Sequence, residues 1–197
     1  MEKKKSNIVI RIITAICFVW VLVLGARTFI ADKMYESTDI LTMVVAALPI
    51  LAGLLMLIGA LTGARVVFGI GSVVYLIYKG FEIFYYVMQM QESAADEAGK
   101  SFRGLIIASA LMLLAFLFLA LACFNKKADL ALCLLTAALF VAYFFVSRSK
   151  LAADESQLML ILTSAGSVLG TILMGITMAL GKGTEKKKSK YLDSAAE

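Results

Sequence analysis

Lys79 and Glu82 stand near the centre of a long apolar run, Val66 to Met90, and theirs is the placement that most asks for a chemical reason. If the run is a helix, a rise of 1.5 Å per residue puts Lys79 roughly 20 Å from either end. A lysine side chain snorkels over only its own length, too little to reach water from there. A charge at the middle of a bilayer costs about 2.5–3.5 kcal/mol on insertion scales, and such residues usually face a bundle interior or a wet cavity. At 100° per residue, Tyr75, Tyr78, Lys79, Glu82, Tyr86 and Gln89 share one arc of about 100°. Val73, Val74, Leu76, Ile77, Phe84, Val87 and Met88 take the other side.

Two chemistries fit this pattern. At i and i+3 on one face, Lys79 and Glu82 neutralise each other and fix the orientation of the helix while the tyrosines pack. Alternatively, the face lines a site for a small solute or a coupled proton, with Glu82 titrating and Lys79 as its counter-charge or an anion contact. Gly80 offers a third arrangement, a span broken into two half-helices around a binding site.

Other chemistries fall away. The chain has no histidine, which removes H-E-x-x-H zinc sites, Ser–His and Cys–His nucleophile pairs and histidine phosphotransfer. No aspartate lies centrally in an apolar run, and Gly69-Ile70-Gly71 lacks the third glycine of a dinucleotide loop. Cys17, Cys123 and Cys133 have no Cys or His at metal-ligand spacing and read as small packing residues. Cys123, beside Lys126 and Lys127, is also placed for reversible acylation. No metal, cofactor or catalytic residue is expected, and an enzyme is the least favoured class.

The elements that position the polar face follow from composition. Of 197 residues, 61% are hydrophobic and 17% charged, far more apolar than a soluble domain. A membrane helix needs about 20 apolar residues, and apolar runs cover 8–30, 40–61, 66–90, 102–124, 130–146 and 158–180. The fold expected is an all-α polytopic membrane bundle of six transmembrane helices arranged as three hairpins. Residues 1–181 form that one domain, and 182–197 form a basic tail, expected to be disordered because it lacks apolar periodicity. The opening Lys3–Lys5 and apolar run look like a signal peptide, but a secretory apolar region is about 7–15 residues and this one reaches Ile30, so an uncleaved first span is expected.

Lys and Arg near span ends set orientation. Twelve fall on one side, including Lys3–Lys5, Arg11, Arg65, Lys126, Lys127 and the tail lysines; six fall on the other, Arg27, Lys33, Lys100, Arg103, Arg148 and Lys150. Both termini are therefore expected in the cytoplasm. Neither Asn7 nor Asn125 begins a glycosylation motif, which favours a bacterial inner membrane. Ala94-Ala95-Asp96-Glu97 and Ala152-Ala153-Asp154-Glu155 hint at an internal hairpin repeat.

Within the spans, Pro49 predicts a kink. Gly59-x-x-x-Gly63, Gly166-x-x-x-Gly170 and Gly175 predict close helix packing by spans two and six. Spans four and five, with little polar beyond Ser109 and Thr136, read as a lipid-facing wall. Arg11 and Arg27, a turn inside the ends of the first span, read as headgroup anchors. The function expected is a small-solute-binding or transport subunit using the polar face of span three; the alternative is a non-catalytic scaffold or accessory subunit. The expected partners are the lipid bilayer, a membrane subunit or second copy, and anionic lipid through Lys182, Lys186, Lys187, Lys188 and Lys190, worth about 1 kcal/mol each. Nucleic acid is not expected, because the cations flank apolar runs instead of forming a stripe.

Overall fold

The computed structural model describes the backbone of residues 2–31, 33–34, 38–92, 97–125, 128–148 and 155–193, and the side chains of 8–31, 33–34, 38–91, 102–125, 128–148 and 157–178. Most of the Ala-Ala-Asp-Glu repeat, Lys126 and Lys127, and the side chains of the tail lysines lie outside them. Six helices follow one another: α1 (Glu2–Ala31), α2 (Ile40–Thr62), α3 (Arg65–Glu92), α4 (Glu97–Phe124), α5 (Asp129–Arg148) and α6 (Glu155–Asp193). Each carries a stretch of 20 to 27 residues long and apolar enough to cross a bilayer.

Two bounds differ from the sequence reading. The fifth span reaches 20 residues, because Asp129 and Arg148 join the helix at its two ends, where their charges complement its dipole. At the other extreme, α6 continues as helix through the tail to Asp193. Apolar periodicity is needed to pack a helix, not to extend one: lysine and glutamate are good helix formers, and a nucleated helix adds residues at little cost.

Local chemistry sets the turns. Asp39 caps α2, its carboxylate accepting from Leu41 N at 3.1 Å, Thr42 N at 3.3 Å and the Thr42 hydroxyl. Those donors hold the Asp39 carboxyl below the usual carboxylate range, so it remains a charged acceptor at neutral pH. The other end of α2 stops at Gly63, whose φ of 74° is left-handed and whose N–H donates to Ala60 O at 3.3 Å. Gly63 is thus a C-cap and does not lie on a helix face; Gly59, its predicted companion, is the residue that packs.

Every helix lies against its sequence neighbours, and α6 returns to α1, so the six close into a ring. The pairing runs around the ring without dividing into separate hairpins. Its outer surface carries large apolar side chains, among them Ile16, Ile58, Phe84, Phe145 and Leu162. An apolar belt of this extent suits hydrocarbon and not water. Helix contacts inside are made by small residues. A Cβ on Gly53 would lie 2.5 Å from Leu22 N of α1, one on Gly59 2.5 Å from Phe68 N of α3, and one on Gly170 2.8 Å from Cys17 Cβ. A Cβ on Gly166 would lie 3.1 Å from the Cys17 carbonyl oxygen, and one on Gly175 3.1 Å from Cys133 Cβ. Pro49 lies inside a continuous α2, buried against Gly25 of α1.

The fourth and fifth spans are more than a lipid-facing wall. Ala115, Phe116 and Leu119 of α4 and Phe140 of α5 are wholly buried. A ring of six gives every member an inner face, and in these two helices that face is built from Ala, Phe and Leu, which a polarity pattern does not distinguish from lipid-facing residues. Cys123 is buried against Gly69, which leaves its thiol no exposure for acylation.

Candidate functional site

Aromatic side chains fill the middle of the ring. Phe18 meets Phe68 edge-on at 5.2 Å between centroids, Trp20 lies 6.0 Å from Tyr75 and 6.4 Å from Phe116, and Phe116 lies 4.3 Å from Tyr75 and 5.7 Å from Phe140. Trp20 donates through Nε1 to Ser167 Oγ of α6 at 3.0 Å. That bond satisfies an indole N–H that would be costly to bury alone. The plug ties α1, α3, α4, α5 and α6 together.

The polar face of α3 continues beyond this plug toward Gln89. Helical geometry sends Val66, Ile70, Val73, Ile77, Phe84 and Met88 to the exposed side, so the opposite arc faces into the bundle. Lys79 Nζ donates to Glu82 Oε2, and Ser109 Oγ of α4 donates to the same oxygen at 2.8 Å. The lysine Nζ also lies 5.4 Å from the Tyr78 ring centroid and 5.8 Å from that of Tyr75, within cation–π range. Tyr86 lies one turn beyond Glu82 on the same face, and Tyr143 of α5 packs against the buried core. Gln89 lies further out on the same face, partly exposed. α3 is unbroken through Gly80, so the two-half-helix arrangement is not adopted.

Accessibility changes along this face. Phe68, Ser72 and Tyr75 are sealed, whereas Tyr78, Lys79, Glu82, Tyr86 and Gln89 all keep partial exposure. The side chains of Lys79 and Glu82 are 12% and 18% exposed, neither sealed nor on the surface. No family model, characterised protein or solved structure matches this chain.

Ser109 is the site residue that sequence reasoning missed. For Ser109 a signal existed. Glu82 lies ten residues before the end of α3 at Glu92, and Ser109 twelve after the start of α4 at Glu97. In antiparallel neighbours those positions share a depth, and a lone hydroxyl in an apolar span seeks a partner.

Two further polar contacts occupy the opposite end of the ring. Arg11 NH1 donates to the Thr62 carbonyl at the end of α2, 3.2 Å away, and its guanidinium lies against Gly63. Arg65 NH2 donates to the Ala122 carbonyl in the last turn of α4 at 3.0 Å and pairs with Asp129 of α5 at 3.4 Å. Arg11 was expected to anchor to headgroups; it caps a helix instead. Both arginines supply donors to carbonyls that a helix C-terminus leaves without intrahelical partners.

Proposed function

We propose that this chain is an integral membrane protein that binds a small polar solute on the Tyr75–Gln89 face of α3, as a solute-binding or transport subunit. The observation that carries the reading is the inward-facing Lys79–Glu82 pair, held by Ser109 at a depth where both charged side chains retain accessibility. Two charges in the apolar third of a bundle are costly to keep, and a closed structural pair has no need of tyrosines left partly open around it. Native mass spectrometry in mild detergent tests this. A small molecule retained by the wild type and lost from both Lys79→Leu and Glu82→Gln, each still a folded helical protein, is the expected result; equal retention in all three proteins overturns it.

The orientation belongs to the same reading. The cation asymmetry supports both termini cytoplasmic, in a bacterial plasma membrane, with the tail lysines Lys182, Lys186, Lys187, Lys188 and Lys190 beside anionic lipid. The Gln89 end of the site then opens outward. In a chain otherwise stripped of cysteine, a cysteine at position 195 is expected to react with an impermeant maleimide only after the cells are permeabilised. Reaction in intact cells reverses the assignment.

The direct Lys79–Glu82 contact also favours a second reading, a non-catalytic scaffold or accessory subunit in which the pair only orients α3 against α4, with a partner subunit or second copy at the apolar exterior. The same mass spectra separate the two: a scaffold retains no solute.

A further inference from the structure

We infer that the solute accepted by this face is a small zwitterion, an amino acid or a betaine; the inference rests on the solute-binding reading above and specifies its chemistry. One cation and one anion stand side by side in the site, and they cancel. An entering monovalent ion, of either sign, would leave the interior with a net charge, and low-dielectric surroundings penalise that heavily. A zwitterion does not. Its carboxylate replaces Glu82 against Lys79 while its ammonium replaces Lys79 against Glu82, so one ion pair becomes two and the net charge stays zero throughout.

The surroundings match the two ends of such a molecule. Lys79 Nζ already lies over the Tyr75 and Tyr78 rings, whose negative π-faces suit a second cation equally well. Glu82 accepts from Ser109, which holds the carboxylate in place when Lys79 turns toward the solute carboxylate. The lysine stem is unbranched and flexible, and its 12% exposure leaves it a direction in which to turn.

Two more hydroxyls point the same way. Ser147 and Ser164 are buried side chains whose Oγ atoms have no hydrogen-bond partner. Serines in helices normally donate back one turn, as Ser72 and Ser167 do here. Ser147 lies seven residues beyond Phe140, two turns along the same inward face of α5. Counted from the Arg65–Asp129 pair, Ser147 is eighteen residues along α5 and Glu82 seventeen along α3, so the two share a depth, and the Ser147 hydroxyl has a hydrogen bond still to offer.

Charge arithmetic also fixes the test. The full-length protein in lipid nanodiscs is titrated with glycine betaine, with choline, which has the same ammonium without the carboxylate, and with acetate. The wild type is expected to bind betaine at least tenfold more tightly than either ion. Lys79→Met leaves the site net negative and is expected to shift preference to choline, Glu82→Gln leaves it net positive and shifts it to acetate, and the double variant loses all three while melting as a folded helical protein. Wild-type preference for choline or acetate, loss of betaine without a change in preference in either single variant, or no binding of any probe overturns the zwitterion. Native mass spectra that still show a solute lost from both charge variants then leave the binding-site reading standing alone; their silence removes both.

Discussion

Gly53→Ala is expected to destabilise the bundle by about 3 kcal/mol, the upper part of the range for overpacking a tight interior. The added methyl would fall 2.5 Å from Leu22 N and 2.6 Å from Leu22 Cα. Both are backbone atoms of α1, so no side chain can rotate away and the two helices must separate. Separation also lifts Pro49 from Gly25, where a Cβ would meet the proline ring at 2.7 Å and the two chains are therefore in direct contact. For a protein of this size the change corresponds to a fall of about 6–12 °C in thermal midpoint, measured by circular dichroism in one detergent. Gly80→Ala supplies the control: its new methyl meets nothing within 4 Å, and alanine's better helix propensity adds up to about 1 kcal/mol. If the two variants melt alike, the close approach of α1 and α2 is not what holds them together.

The sequence made the spans legible because a bilayer imposes one demand, length of apolar helix, and all six helices meet it close to the expected bounds. It was equally informative about α3, where charge and tyrosine recur at helical spacing. What it concealed are features made by two helices at once. Gly53 belongs to no G-x-x-x-G pair; its only signature is that Ala46, Gly53 and Ala60 recur at seven-residue intervals. The inner faces of α4 and α5 use the same residue types as their lipid faces, so only the closure of the ring tells the two apart. Ser109 gained meaning once Glu82 was opposite it. Arg11 and Arg65 read as topology signals, which compositional rules can detect, while their use as caps on the carboxyl ends of α2 and α4 depends on which helix lies alongside.

Arg65 yields the second large effect. Asp129 is 2% exposed, and its carboxylate has Arg65 on Oδ2 and the Leu130 N–H on Oδ1. Removing one partner of a buried pair weakens the hold on the other charge and costs about 3–5 kcal/mol. Arg65→Met is expected at the lower end of that range, because Arg65 is itself 26% exposed and water follows the loss of its side chain toward Asp129. The substitution also takes the donor from the Ala122 carbonyl, so the last turn of α4 should fray, seen as faster hydrogen exchange there. Asp129→Asn keeps the shape, removes the charge and should cost less than Arg65→Met, since the arginine retains the Ala122 carbonyl and its own partial exposure. The double variant is the decisive one. With both charges of the pair gone, Arg65→Met with Asp129→Asn should be more stable than Arg65→Met alone, a coupling read from unfolding midpoints in a denaturing-detergent titration. Arg65 Nε, buried without an acceptor, adds to this asymmetry: the wild-type pair already carries an unsatisfied donor, and the double variant sheds it. Strict additivity of the two single substitutions would show that Arg65 acts on α4 alone and that α5 is held in the ring by packing.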